Sequence, residues 1–173
     1  SSGGCLAAAV WWGRREKDNE PWADGAPHPV GQGGFYNGDG ITSMHHNSAG
    51  TRISPTEIWE SKNPWLINKI EFAQDSCGAG EFRGGLGLDL EFEMIEETFI
   101  TTVVERTKNP PWGIKEGKAG RANNVQVIKK NGDKFYMPKK SGYKLEKGDK
   151  IIFLTGGGGG YGDPKLRKIE KIK

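Results

Sequence analysis

Cysteine is scarce in this chain: Cys5 and Cys77 are the only two among 173 residues. They make no disulfide framework, and neither has a second cysteine at the spacing of a zinc ribbon or knuckle. The expected setting is the reducing cytoplasm. Histidine is nearly as rare, with His28, His45 and His46 the whole supply. The longest apolar run, Leu6 to Trp12, falls far short of the ~18 residues that a membrane-crossing helix requires, so no membrane span is expected. An excess of one charge sign is lacking too: 25 Lys and Arg stand against 22 Asp and Glu, a net charge of +3. Phosphate-backbone recognition calls for a concentrated basic stripe with aromatic stacking partners, and none is visible, which argues against nucleic acid as a partner. The start, Ser1-Ser2-Gly3-Gly4-Cys5, has neither an initiator Met nor the basic flank and small-residue exit of a signal peptide. The expectation is a processed product or a piece of a longer polypeptide.

Glycine, by contrast, is abundant, with 27 residues where average usage of about 7% predicts roughly a dozen. Aromatics at 10% and hydrophobics at 34% exclude a flexible linker or a collagen-like chain. Residues 1–40 show little periodicity and read as a Gly/Trp-rich loop leader that contacts a partner, since long structureless loops are uncommon in an autonomous domain. From Thr56 the period becomes two. Leu66, Asn68, Ile70 and Phe72 fall on one side of a candidate strand; Leu86, Leu88, Leu90, Phe92 and Met94 fall on one side of the next, with Gly87, Asp89, Glu91 and Glu93 opposite. Phe99–Val104, Val125–Ile128 and Lys150–Leu154 are β-branched runs that favour strands. Asn131-Gly132 predicts a two-residue type I′ hairpin. Only Pro164–Lys173 looks helical, and its Lys and Arg read as a solvated basic tail over 165–173. The predicted fold is mainly β over 41–164: a Gly-rich sandwich or barrel with long loops, packed on a larger partner.

Four motifs carry candidate chemistry. Thr155-Gly156-Gly157-Gly158-Gly159-Gly160-Tyr161-Gly162-Asp163-Pro164 follows an apolar run, yet no Lys-Ser or Lys-Thr completes a phosphate-binding P-loop, and close backbone packing is favoured over a phosphate cradle. His45-His46 would point opposite ways on an extended chain, which suits a hydrogen-bonded loop better than a metal site, although a histidine general base stays open. In Asp75-Ser76-Cys77-Gly78-Ala79-Gly80-Glu81-Phe82-Arg83-Gly84-Gly85 the thiol is a conceivable nucleophile. The glycines instead favour a tight connection with Asp75 capping a turn and Arg83 pairing with it. Glu105-Arg106 suits a salt bridge, and Trp112, after Pro110-Pro111, a packing anchor against a partner.

The order of Ile53-Ser54-Pro55-Thr56-Glu57-Ile58-Trp59-Glu60, Asn63-Pro64, the Asp75–Gly87 block, Glu105-Arg106 with Pro111-Trp112-Gly113, and Gly157–Gly160-Tyr161-Gly162-Asp163-Pro164 closely resembles the carboxy-terminal part of the hydantoinase B/oxoprolinase family. The resemblance runs from about His45 to Pro164. It departs at Cys77, where the family's pattern more often has Gly, which weakens a nucleophile role.

The resemblance implies a small subunit or fragment of an ATP-dependent cyclic amidohydrolase that opens a lactam or imide ring after ATP activates its carbonyl. Relatives that carboxylate acetone or acetophenone make an ATP-dependent ketone carboxylase the alternative. Two partners are implied, the large amino-terminal portion of a hydantoinase B-type polypeptide and an ATP-binding hydantoinase A-type subunit. ATP with Mg, and a Zn or Mn ion, are expected on those chains, with no metal ligand assigned here. His46, Asn47 and Arg52 become candidates for lining a cavity or inter-chain seam, and Gly156, Gly157, Gly158, Gly159 and Gly160 a second candidate site. A different class remains, a stand-alone β-sandwich binding module with its tryptophans as a ligand platform; six tryptophans are better spent on core and interface.

Overall fold

The computed structural model describes residues 1–5, 7–44 and 53–171. Its elements, in chain order, are β1 (Ala7–Arg14), β2 (Pro21–His28), α1 (Thr56–Lys62), β3 (Trp65–Phe72), β4 (Leu88–Met94), β5 (Thr98–Val104), β6 (Asn124–Ile128), β7 (Lys134–Tyr136), β8 (Lys139–Leu145) and β9 (Lys150–Leu154). Two 3-10 turns, Pro164–Leu166 and Ile169–Lys171, follow. One sheet has the order β2-β1-β5-β8 and the other β3-β4-β9-β6-β7. Every strand pairing among them is antiparallel. Among the described residues no helix is long and apolar enough to cross a membrane.

The sheets stack as a sandwich because each presents one apolar face. In β4 the inward Leu88, Leu90, Phe92 and Met94 are buried, while Asp89, Glu91 and Glu93 point outward, as the alternation predicts. Trp11 of β1, 1% exposed, crosses the interface. Its ring lies 4.9 Å from Trp65, 5.5 Å from Phe92 and 5.9 Å from Phe153, all on the opposite sheet. Trp59 and Trp65 are buried as well, so half of the tryptophans form core and cannot serve as a ligand platform.

The two outer faces differ. That of the five-stranded sheet is polar and paired: Lys150 Nζ lies 2.9 Å from Glu91, Arg121 Nη2 lies 2.8 Å from Asp89, and Asn68 donates to Glu93 at 2.9 Å. On the four-stranded sheet, Trp12 stands beside Phe99 and Ala23, Val10 beside Thr101 and Gly25, and Ala8 beside Val103 and Pro27. Cross-strand neighbours share a face, so apart from Arg14 at the end of β1 the outward positions paired here on β1, β2 and β5 are uncharged.

Residues 1–40 are therefore not a loop leader; they hold the β1–β2 hairpin, registered from Ala7↔His28 to Arg14↔Pro21. Both faces of β1 are apolar, which removes the polar half of the alternation that reveals a strand. β2 accommodates Pro21 and Pro27 because it is an edge strand. α1 also departs from the two-residue period expected from Thr56. Pro55 fixes the entry at φ −54, Glu57 and Lys62 match the helix dipole, and a helix of about two turns buries only Trp59, too short a stretch for a helical period to show. In β3 a bulge between Ile67 and Lys69 shifts the register, so Trp65 and Ile67 face the core before it and Ile70 after it; Leu66 faces out. β8, rich in lysine, is an edge strand that this charge protects from further pairing. The β6–β7 hairpin forms, but of the Asn131-Gly132 pair only Gly132 has positive φ, +94°. The Gly132 N–H to Lys129 carbonyl bond of 2.8 Å and the Lys129 N–H to Asp133 carbonyl bond of 2.8 Å make a three-residue loop with glycine at the left-handed position.

Asp149 ties this hairpin to the β8–β9 corner. Its carboxylate, in a residue 1% exposed, accepts from the Lys130 N–H at 3.0 Å and the Glu146 N–H at 2.8 Å, and pairs with the Lys129 ammonium. Burial pushes its pKa up, but Lys129 and the two amides prevail and hold it below the usual value. Asp149→Ala is expected to cost about 2–3 kcal/mol, because it orphans two amides and a half-buried ammonium. Urea denaturation at pH 7 measures this.

Candidate functional site

Register places the start of β1, the end of β2, the end of β5, the start of β4, the start of β6 and the end of β9 at one end of the sandwich. The long connections between them meet there in a bundle around residues 155–160, all of which are buried. The central segment bonds in several directions. The Gly31 and Gly34 N–H groups donate to the Gly156 and Gly159 carbonyls at 2.8 and 2.9 Å, Gly78 donates to Gly158 at 2.7 Å, and Gly158 donates to Gly85 at 2.9 Å. A sheet strand has two neighbours; this segment has more, and they approach too closely for side chains. A Cβ on Gly157 would stand 1.9 Å from the Ser76 carbonyl oxygen, on Gly158 1.7 Å from that of Gln32, on Gly159 2.1 Å from that of Trp112, and on Gly160 2.0 Å from that of Ala79. The crowding resembles the axis of a collagen triple helix, where only glycine fits.

The N–H groups of Gly158, Gly159 and Gly160 go to the carbonyls of Gly85, Ser2 and Lys118, and that of Gly156 goes to Asn123 Oδ1. These donors are spent within the chain, so Gly156–Gly160 builds a rigid scaffold and those four amides offer no cradle for a phosphate.

Polar side chains lock the bundle to the sheets. Asn123, fully buried, donates through Nδ2 to the carbonyls of Gly4 at 2.6 Å and Glu105 at 2.8 Å. The Thr155 hydroxyl donates to the Pro29 carbonyl at 2.7 Å and accepts from the Leu88 N–H at 2.6 Å. Arg121 reaches the Thr155 carbonyl at 2.7 Å while pairing with Asp89. These residues lie in turns with no periodic pattern; the run Gly120-Arg121-Ala122-Asn123 was the one sequence signal, a polar pair directly after a bundle glycine.

Arg167 is not part of a solvated tail. Its guanidinium, 11% exposed, binds Asp39 through two oxygens at 2.8 and 2.9 Å and donates to the Glu81 carbonyl at 3.1 Å. Arg83 contributes its backbone N–H to Asp39 at 2.9 Å, and its side chain forms no ion pair with Asp75. The Arg167 hydrogen bond, stronger than the opposing burial, holds the Asp39 carboxyl below the usual range. A folded-state pKa below the unfolded value stabilises above the unfolded pKa and is lost as pH falls through the folded one. Arg167→Gln is thus expected to cost about 1–2 kcal/mol at pH 7. The difference from wild type should narrow as pH falls below the unfolded carboxylate pKa of about 3.9, read from denaturation midpoints across pH.

Cys77 sits half-buried beside this pair. Burial pushes its thiol up despite Arg83 and Arg167, which keeps it protonated at neutral pH and disfavours a nucleophile. At the rim, Ile114-Lys115-Glu116-Gly117 forms the type I′ turn pattern: φ is 49° at Lys115 and 73° at Glu116, and the Gly117 N–H bonds the Ile114 carbonyl at 3.1 Å. Lys115 stands over the Tyr161 ring at 5.4 Å, and the Tyr161 hydroxyl raises its pKa. Arg106 makes no salt bridge with Glu105. Its guanidinium stacks 4.3 Å over Trp112, which is itself half-exposed, while Glu105 accepts from Cys5 Sγ at 2.8 Å.

His46, Asn47 and Arg52 lie outside the described residues. His28 is buried against the rings of Phe92 and Phe153. Among the described residues no three His, Cys, Asp or Glu side chains gather as a metal site requires, and their donor set does not fit Zn or Mn.

This fold recurs in a solved structure, the ATP-dependent caprolactamase of Pseudomonas jessenii, with a TM-score of 0.77 at 23% identity, over 99% of this chain and 31% of that one. In sequence, the chain is 33% identical to the caprolactamase subunit beta of Pseudomonas jessenii over 126 residues, 67% of this chain and 21% of that protein. It is 30% identical to the 5-oxoprolinase of Dictyostelium discoideum over 132 residues, 76% of this chain and 10% of that protein. The chain thus spans a minor part of the relatives' length. The Hydantoinase B/oxoprolinase family model matches residues 1–164, extending the motif resemblance back through the β1–β2 hairpin. With the motifs, the bundle they build and the relatives in agreement, the chain belongs to the hydantoinase B/oxoprolinase family.

Proposed function

We propose that the chain works as a small subunit or section of an ATP-dependent cyclic amidohydrolase that opens a lactam or imide ring. The observation that carries this is the family match over residues 1–164 together with relatives at 30% and 33% identity named 5-oxoprolinase and caprolactamase. A ring amide is a poor electrophile, and ATP with Mg, held on a hydantoinase A-type partner, supplies the phosphoryl group that activates its carbonyl. The large amino-terminal portion of a hydantoinase B-type polypeptide supplies the Zn or Mn site.

This chain's own contribution is rigidity. The bundle fixes the turns that carry Lys115, Tyr161 and Arg106, and Met44, which precedes the segment holding His46, Asn47 and Arg52 in sequence, is bonded to Val30 beside it. Those three side chains are proposed to line the cavity or the seam between chains.

The test is a substrate panel on the complete complex. With ATP and Mg, 5-oxoproline, hydantoin or caprolactam should yield ring-opened product and ADP together. Turnover confined to acetone or acetophenone with bicarbonate would replace the hydrolase with a ketone carboxylase.

A further inference from the structure

We propose that the outer face of the four-stranded sheet, centred on Val10, Trp12, Phe99 and Val103, is the seam on which the rest of a hydantoinase B-type polypeptide packs. The proposal rests on the family-based reading of the chain as one section of a larger enzyme.

An antiparallel sheet in a two-layer sandwich keeps one face for the core and one for water, with polar residues outward. The five-stranded sheet obeys this, with Asp89, Glu91 and Glu93 outward and matched to Arg121, Asn68 and Lys150. The four-stranded sheet of the same molecule does not. Val10 and Val103 are 46% and 43% exposed with no charged residue between or beside them on β1, β2 and β5. Trp12 and Phe99 stack with centroids 6.1 Å apart and planes 16° from parallel. Next to them a cleft of about 530 Å³, lined by Gly13, Arg14, Trp22 and Glu97, offers a socket for a protruding side chain. The Trp22 indole N–H at this edge is buried without a partner within the chain. Such a face is a middle layer awaiting a third.

The occupant follows from length. In the caprolactamase the same fold makes up 31% of a chain, so each copy carries more than twice as much polypeptide of its own to lay against it. A covalent or tightly held neighbour suits a face whose centre is apolar better than a transient partner, whose interfaces stay as polar as ordinary surface. The rim adds a direction. Lys139, opposite Val103 on the β8 edge, forms no ion pair within the described residues, and it calls for an acidic group on the neighbour.

Thiol labelling of the full complex tests the seam. Val10→Cys and Val103→Cys are exposed, conservative changes; Gln126→Cys places a thiol on the outer face of the other sheet. Rates with a maleimide, resolved by peptide mass spectrometry, are compared between the complex and the chain alone. The expected result is at least tenfold slower labelling at positions 10 and 103 in the complex, with position 126 within twofold. Equal labelling at 10 and 103 in an intact complex, or protection as strong at 126, overturns the seam and leaves the family-based reading standing. A chain that forms no complex with a hydantoinase B-type polypeptide overturns both. Protection arising only in a homodimer assigns the face to self-association and overturns the proposal.

Discussion

Gly158→Ala is expected to abolish folding, with a cost of at least about 4 kcal/mol and loss to the insoluble fraction. The added Cβ would lie 1.7 Å from the Gln32 carbonyl oxygen and 2.2 Å from its carbon, both backbone atoms with no rotamer to yield. Moving Gln32 breaks its N–H bond to Ile41 at 2.9 Å and the Gly85 N–H bond to its carbonyl at 2.7 Å. Gly85 in turn accepts from Gly158. The strain therefore returns to its source, and overpacking of this kind exceeds the usual 1–3 kcal/mol. Two other glycines calibrate the effect. At Gly25 the nearest atoms to a Cβ are 3.9 and 4.0 Å away, so Gly25→Ala should change stability by less than about 0.5 kcal/mol. At Gly132 nothing lies within 4 Å but φ is +94°, so Gly132→Ala should cost about 1 kcal/mol through backbone strain alone. Urea denaturation of the soluble variants, beside the expression yield of Gly158→Ala, reads the series. Equal behaviour of all three would mean that the bundle yields.

Asn123→Asp is the second large effect, at about 3–4 kcal/mol near neutral pH. The shape is kept, but an amide that donates to two carbonyls at 2.6 and 2.8 Å becomes an acceptor facing acceptors. The site is 0% exposed, so no water relieves it. The introduced carboxyl must then titrate above its unfolded value. The sign follows: the electrostatic penalty is absent below the unfolded carboxylate pKa of about 3.9, where the group is neutral in both states, and grows as pH rises toward the folded value. Asn123→Ala removes the same bonds without the charge and should cost about 2–3 kcal/mol with no such pH dependence. A pH series of denaturation midpoints for both variants separates lost hydrogen bonds from buried charge.

What could be read from sequence follows from how many faces of an element meet water. β4 was legible because Asp89, Glu91 and Glu93 face solvent between Leu88, Leu90, Phe92 and Met94. β1 was not, because Val10 and Trp12 on its second face are as apolar as Ala9 and Trp11 on the first. β3 was half legible, its alternation broken by the bulge after Ile67. The glycine run announced close packing, yet not its partners. Those are backbone carbonyls of Gln32, Ser76, Ala79 and Trp112, and a carbonyl leaves no mark on residue type. Asp39–Arg167 joins positions 128 residues apart, a separation no local pattern records.

The most direct measurement is omission and add-back of this chain in the proposed ATP-dependent reaction of the proposed complex. The predicted result is coupled ring opening and ADP release with the chain present, their loss when it is left out, and recovery on adding it back, while the chain alone turns over nothing. An unchanged rate without the chain, or ring opening by the chain alone, would contradict the proposed role as one section of a larger cyclic amidohydrolase.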